Sequence, residues 1–300
     1  MGKVTAESRY LGCILGLAIG DALGYPIEFQ NHGPFAVSDL ASPALYSDDT
    51  QMSIATAVGI IAGGTTDAVH RAYLSWLRTQ DDQRQRRAPG RTCIEALTSG
   101  KIGSIHRHIN NSKGCGGIMR VAPAGLVFEP GAAFGKGADY AAITHGHPSG
   151  YLSAGFLAEL ISHIVESEPL DQALDSSTNS LAAFDGHKET LRAVENARRL
   201  AARAGFVASD IAELGGGAVG EQALAIAVYS ALRFSDDFSK GVLASVNHGG
   251  DSDSTGSICG AILGTMLGVE AIPPRWVEQI ENSRGLKELA LRLAGVERKA

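Results

Sequence analysis

The sequence has no C-x-x-C pair and no paired cysteine pattern; its four cysteines, Cys13, Cys93, Cys115 and Cys259, stand far apart. That speaks against a disulfide framework and suits free thiols in a reducing cytoplasm. Cys13 and Cys259 lie in apolar helical stretches, where a thiol packs as a small hydrophobe. A basic block is also missing. The net charge is −6, and the densest basic stretch, Arg84 to Arg91, is short and mixed with Gln, Pro and Gly. It reads as a solvated loop, and nucleic acid is not an expected partner. Met1 to Tyr10 lacks an apolar signal core, and Ala6 stands where an acylation signal needs Ser or Thr. The longest apolar runs break before 18 residues, so no membrane span is expected. Strand-like alternation is not sustained, and no repeat of fixed period occurs.

What the chain does have is oxygen-rich acidic clusters at the starts of helices. In Asn247-His248-Gly249-Gly250-Asp251-Ser252-Asp253-Ser254-Thr255-Gly256, two carboxylates and neighbouring hydroxyls precede an apolar stretch from Ile258 to Met266. Gly249 and Gly250 permit a tight entry turn. One Asp-x-Asp pair could be a helix cap alone. Ser47-Asp48-Asp49-Thr50 repeats the chemistry before a second helical stretch, Met52 to Ile61. Four carboxylates packed together would repel one another and could not all stay ionised. A hard divalent cation, or a pair, removes the conflict, since Mg²⁺ and Mn²⁺ prefer carboxylate and hydroxyl oxygens.

Gly12, Gly16 and Gly20 recur at four-residue spacing along one face of an apolar stretch from Leu11. Gly256, Gly260, Gly264 and Gly268 repeat that stripe after the second cluster. Helical glycine costs about 1 kcal/mol against alanine, so repetition needs a reason. Close approach of another backbone supplies one, against chance spacing in a chain with 37 glycines. The expectation is that these two helices pack tightly and join the Asp21 region to the Asp251 cluster. After Asp21 comes a turn marked by Gly24 and Pro26, then Glu28, and Pro34 to Leu45 reads as loop.

Helices are expected at about 49–62 and 66–78, the latter with Trp76 in the core, and at 132–143, 150–166, 170–183, 187–204, 220–234, 239–247 and 286–293. Asn110 to Met119 is glycine-dense. Its backbone N–H groups could cradle an anion, aided by a helix starting at Ile118, or it could be a plain flexible loop. No Walker loop and no G-x-G-x-x-G after a strand occurs. Thr144-His145-Gly146-His147-Pro148 offers H-x-H, which suits either a metal or an ordinary polar loop. The architecture expected is one compact all-α domain over residues 1–300, with metal-binding loops at helix N-termini.

These pieces, GDALGYPIE, YSDDT, SKGCGGIMR, THGHP and NHGGDSDSTG in that order, resemble the ADP-ribosylglycohydrolase family. The resemblance runs from Gly12 to about Gly268 and implies an orthogonal all-helical fold with two Mg²⁺ or Mn²⁺ ions. Position by position, it implies metal ligation by Ser47, Asp48, Asp49, Asp251, Asp253 and Ser254. Many relatives carry Thr at the positions of Ser47 and Ser254; the Ser forms look closer to the arginine-directed branch. Glu28 matches an acidic residue that serves as acid/base in some branches, and Asp48, Asp49 and Asp253 share the catalytic centre. Ser112, Lys113, Gly114, Cys115, Gly116 and Gly117 match the diphosphate-binding segment, and His145 a histidine lining the ADP-ribose pocket. His147 and His248 are neighbours rather than ligands, and Asp21 an orienting acceptor.

The implied activity is hydrolysis of the N-glycosidic bond between ADP-ribose and arginine in a modified protein, with ADP-ribose as product. The alternatives are another adduct, ADP-ribosylserine or O-acetyl-ADP-ribose, or a non-catalytic ADP-ribose-binding role. The four aspartates speak against the last. A monomer is expected, with no nucleic-acid or membrane partner.

Overall fold

The computed structural model describes residues 4–30, 36–205 and 208–300; Pro34 and Phe35 of the expected loop lie outside them. Among the described residues the fold is all-α, with no strand beyond isolated bridges. The helices are α1 (Ala6–Gly24), α2 (Asp48–Ile61), α3 (Thr66–Thr79), α4 (Arg91–Thr98) and α5 (Ala122–Val127). They continue as α6 (Ala132–Ala142), α7 (Pro148–Val165), α8 (Leu170–Ala182), α9 (Lys188–Ala201) and α10 (Ala208–Leu214). The last five are α11 (Gly220–Arg233), α12 (Phe238–Val246), α13 (Ser252–Leu267), α14 (Pro274–Gln279) and α15 (Ser283–Ala294). One buried apolar cluster runs through them from Tyr10 to Leu293.

The centre of that cluster is the pair α1 and α13. Their glycine stripes face each other: a Cβ at Gly12, Gly16 or Gly20 would lie 2.1, 2.3 or 2.0 Å from the carbonyl oxygen of Gly264, Gly260 or Gly256. The pairing runs in opposite directions along the two chains, so the helices are antiparallel with backbones in contact. The expected packing is borne out, with one change of register. Gly268 caps α13 at φ +80°, and the fourth contact is instead Gly24 against the Ser252 carbonyl. That contact sets the start of α13 beside the end of α1, where Asp21 stands.

By length and composition alone the stretch from Ala6 to Ile27 would suffice to cross a membrane, although Asp21 interrupts its apolar run. Within the fold 78% of its apolar window is buried, as the central core helix. Trp76 is core as expected, with its indole N–H on Gln51 Oε1 at 3.0 Å.

Two expectations fail. No helix starts at Ile118; a 3₁₀ turn spans Cys115–Gly117 and α5 begins at Ala122 with Pro123 in its first turn, where a missing N–H is harmless. The Arg84–Arg91 stretch is not simply solvated. Arg87 is mostly covered, with its guanidinium bidentate on Glu281 at 2.8 and 3.0 Å and on the Tyr46 carbonyl at 3.1 Å. Arg91 already belongs to α4.

Candidate functional site

Two helix N-termini and the end of α1 meet at one place. Ser47 caps α2, its Oγ accepting from Asp49 N at 3.2 Å, and Asp251 caps α13, its carboxylate accepting from Ser254 N at 3.3 Å. Both capping readings hold locally, yet caps need only Ser47 and Asp251. Asp48, Asp49 and Asp253, one or two residues inside the caps, are buried as well.

Asp21 ties the first cluster to α1. Its carboxylate accepts from Ser47 N at 2.8 Å, Thr50 N at 2.9 Å and Thr50 Oγ1 at 2.6 Å, which uses both oxygens. Asp48 Oδ2 accepts from Gly90 N at 3.1 Å, and Asp48 N donates to the Arg87 carbonyl at 3.0 Å. Arg87 therefore braces the Ser47–Asp48 corner through its backbone as well as its side chain. Glu28, half-buried after the turn at Pro26, joins Asp251 and Asp253: each offers an oxygen within 4.8 Å of the others.

The electrostatics are those of like charges in a dry place. Burial is the largest cause at each site, and the neighbouring charges that act are the other carboxylates. Asp48, Asp49 and Asp253 are driven well above the usual carboxylate range. Glu28 is pushed up to about 7 by burial, then by Asp251 and Asp21. Asp21 rises to about 6 by burial, partly offset by its three donors. Asp49 Oδ2 is buried with no hydrogen-bond partner among the described residues. An orphaned oxygen among converging carboxylates and two hydroxyls is a donor set for a hard cation. Glu28, Asp251 and Asp253 are the carboxylates whose oxygens lie close enough together to hold an ion; Asp48 and Asp49 stand outside that trio, near enough for their charges to act on one another and to feel Asp251. The group at the edge is softer: Cys115 Sγ donates to Asp251 Oδ2 at 2.9 Å.

Cys115 belongs to the expected anion loop, which closes over this cluster from the other side. Gly220 N donates to the Lys113 carbonyl at 2.8 Å and Cys115 N to the Ala218 carbonyl at 3.2 Å, so the loop is fixed rather than free. The Lys113 ammonium pairs with Glu189 at 2.7 Å and Glu221 at 3.4 Å, away from the role of a free phosphate-binding cation. Ser112 Oγ accepts from Gly114 N at 3.3 Å. Gly116 and Gly117 are buried, and His145 lies under them: a Cβ at Gly114 or Gly116 would come within 3.3 Å of its Nε2.

Of the two other histidines, His147 accepts from Ser149 N at 3.1 Å as the cap of α7. His248 bridges Gly250 N at 3.1 Å and Thr255 Oγ1 at 2.9 Å. Sequence reasoning missed Thr50, Arg87, Arg120 and Thr144. Thr50, Arg120 and Thr144 lie inside the YSDDT, SKGCGGIMR and THGHP segments, while Arg87 left no local signal.

The family model for ADP-ribosylglycohydrolase matches residues 3–300. The chain is 25% identical over 302 residues to the ADP-ribosyl-[dinitrogen reductase] glycohydrolase of Rhodospirillum rubrum, covering 92% of both chains. It is 23% identical to the ADP-ribosylarginine hydrolase Tri1 of Pseudomonas putida, covering 96% of this chain and 78% of that one. Among solved structures, an ADP-ribosylglycohydrolase-related protein complex superposes with a TM-score of 0.76 at 26% identity, covering 96% and 97%. The match spans nearly the whole chain and all of the site just described: this protein belongs to the ADP-ribosylglycohydrolase family, a family of hydrolases that release ADP-ribose.

Proposed function

We propose that the protein hydrolyses the N-glycosidic bond between ADP-ribose and arginine in a modified protein, using two divalent cations, Mg²⁺ or Mn²⁺. The observation that carries the metal-dependent reading is the buried carboxylate cluster with Asp49 Oδ2 left unpartnered. Arginine as acceptor is supported by the similarity to the Pseudomonas putida arginine hydrolase.

In this reading Asp48, Asp49, Asp251 and Asp253 hold the ions, with the Ser47 and Ser254 hydroxyls completing the set. Bound cations would supply the positive charge that the cluster lacks, together with Lewis-acid polarisation of oxygen ligands. Asp21 keeps the α2 start in place through its three hydrogen bonds. Glu28, half-buried beside Asp251 and Asp253, takes the proton of the attacking water or gives one to the departing guanidine nitrogen as the bond at the ribose anomeric carbon breaks with oxocarbenium character. The Ser112–Gly117 loop and His145 bind the diphosphate side of the adduct and keep water away from it. The protein works as a monomer in the cytoplasm.

The test incubates the protein with Mn²⁺ or Mg²⁺, and separately with EDTA, on arginine-linked and serine-linked ADP-ribosyl peptides, and follows released ADP-ribose by mass spectrometry. Metal-dependent release from the arginine peptide alone is expected. Release from the serine peptide alone would overturn the acceptor and keep the centre. Release unaffected by EDTA would overturn the centre.

A further inference from the structure

Arg120 is fully buried, yet among the described residues none of its partners carries a negative charge. Its guanidinium lies 4.3 Å from the Tyr73 ring centroid, 3.5 Å from Met52 Sδ and 3.4 Å from Cys93 Sγ. Its Nη2 donates to the Tyr140 carbonyl at 3.2 Å and to Thr144 Oγ1 at 2.6 Å. A guanidinium has donors only, so Thr144 Oγ1 is the acceptor there. The hydroxyl proton must then go elsewhere.

Besides the Cys93 sulfur, a weak acceptor, two stronger acceptors are in reach. The Ala141 carbonyl lies 3.4 Å away and already receives Thr144 N at 3.1 Å and His145 N at 3.0 Å. His145 Nδ1 lies at 2.8 Å. The shorter contact to an otherwise unused lone pair wins, and His145 Nδ1 accepts. In a neutral imidazole the ring proton then sits on Nε2. The ring is neutral: burial, and next the charge of Arg120, push it from 6.5 down to about 3. Nε2 is the atom that faces the Gly114 and Gly116 positions at 3.3 Å, and among the described residues it has no hydrogen-bond partner.

We propose that Arg120 and Thr144 are positioning residues that hold His145 as its Nε2–H tautomer, so that a neutral N–H donor faces the Gly114–Gly117 turn and is offered to an anionic oxygen of the ligand. The inference rests on the proposed function only for the ligand, an ADP-ribose group. A neutral donor suits this place. An imidazolium would meet the like charge of Arg120, and its charge would vary with pH, whereas this N–H is present throughout the neutral range.

The direct test is nitrogen NMR on protein labelled with ¹⁵N-histidine, with His145 assigned by loss of its signals in His145→Gln. The wild type is expected to show a protonated Nε2 and a bare Nδ1 from pH 5 to 8. Thr144→Val removes the hydroxyl at constant volume; it should mix the tautomers and weaken ADP-ribose binding, measured by calorimetry, about tenfold, the effect of one neutral hydrogen bond. Thr144→Ser should restore both. An Nδ1–H tautomer or an imidazolium in the wild type at pH 6 overturns the proposal, and that measurement needs no variant to fold. So does a folded Thr144→Val protein with unchanged tautomer and affinity. A wild type with the Nε2–H tautomer that binds no ADP-ribose would support the positioning and overturn the functional reading instead.

Discussion

Asp253 meets the least favourable surroundings for a negative charge in the chain's second cluster: it is buried, and Asp251, Glu28 and Asp21 act on it. Asp253→Ala therefore removes a source of repulsion from the metal-free protein. The variant is expected to keep its helical circular dichroism and to stay within about 1 kcal/mol of the metal-free wild type. It should lose metal binding by calorimetry and, with it, activity; full metal-dependent turnover in this variant would refute the assignment. The buried ring of His145 makes folding stability depend on pH. Its folded-state value near 3 lies below the unfolded 6.5, so the unfolded chain takes up a proton first as pH falls. The folded state thus loses stability below about pH 6.5, by roughly 2 kcal/mol between pH 7 and 5 at one proton per molecule. Denaturation of wild type and His145→Gln over that range should diverge by this amount, and parallel curves would refute the buried neutral ring. At this scale the sequence was partly legible. Ser47 and Asp251 announce themselves because capping is local chemistry. Arg87 does not, because its meaning depends on Glu281, 194 residues away.

Between elements, the backbone contact of α1 and α13 leaves no room for a methyl group. A Cβ at Gly260 would stand 2.0 Å from the Gly16 carbonyl oxygen, and backbone cannot swing aside as a side chain can. Gly260→Ala is expected to cost about 3 kcal/mol or more in chemical denaturation and to weaken metal binding, since the same contact aligns the two acidic helix starts. Gly135→Ala in α6, where nothing lies within 4 Å, should instead gain about 0.5–1 kcal/mol. Equal effects at the two positions would remove the packing explanation. The stripes could be read from spacing because helix geometry turns a four-residue repeat into a face. The beginning of α5 could not, because the chain from Ser112 to Arg120 is shaped by Ala218 and Gly220 across the fold rather than by its own propensities. The short helices α4, α10 and α14 escaped for a related reason: six to eight residues hold too few turns to show a period.

For the molecule as a whole, the cluster makes stability and cation binding one quantity. Stripped with EDTA, the protein holds carboxylates in its interior against their mutual repulsion. With a divalent ion at a hundredfold excess over its dissociation constant, the folded state is expected to gain about 2.7 kcal/mol per ion. A thermal melt with and without Mn²⁺ reads this directly, and coincident curves would argue against a cation at this centre. The all-helical architecture was legible from periodicity; the assembly of the site from both ends of the chain was legible only as far as the two glycine stripes pointed to each other.

That assembly has a consequence for how the protein is made. Gly24 and Ser252, which touch across the α1–α13 contact, lie 228 residues apart, so a ribosome finishes most of the chain before α1 meets the helix it packs against most closely. Until then the glycine face of the stretch from Ala6 to Ile27 is uncovered, on an apolar segment of a length that suits a bilayer. A growing chain is thus a natural client for a holding chaperone. Translation arrested before Ser252 should yield polypeptide that aggregates or clings to membranes, where arrest after α15 should not.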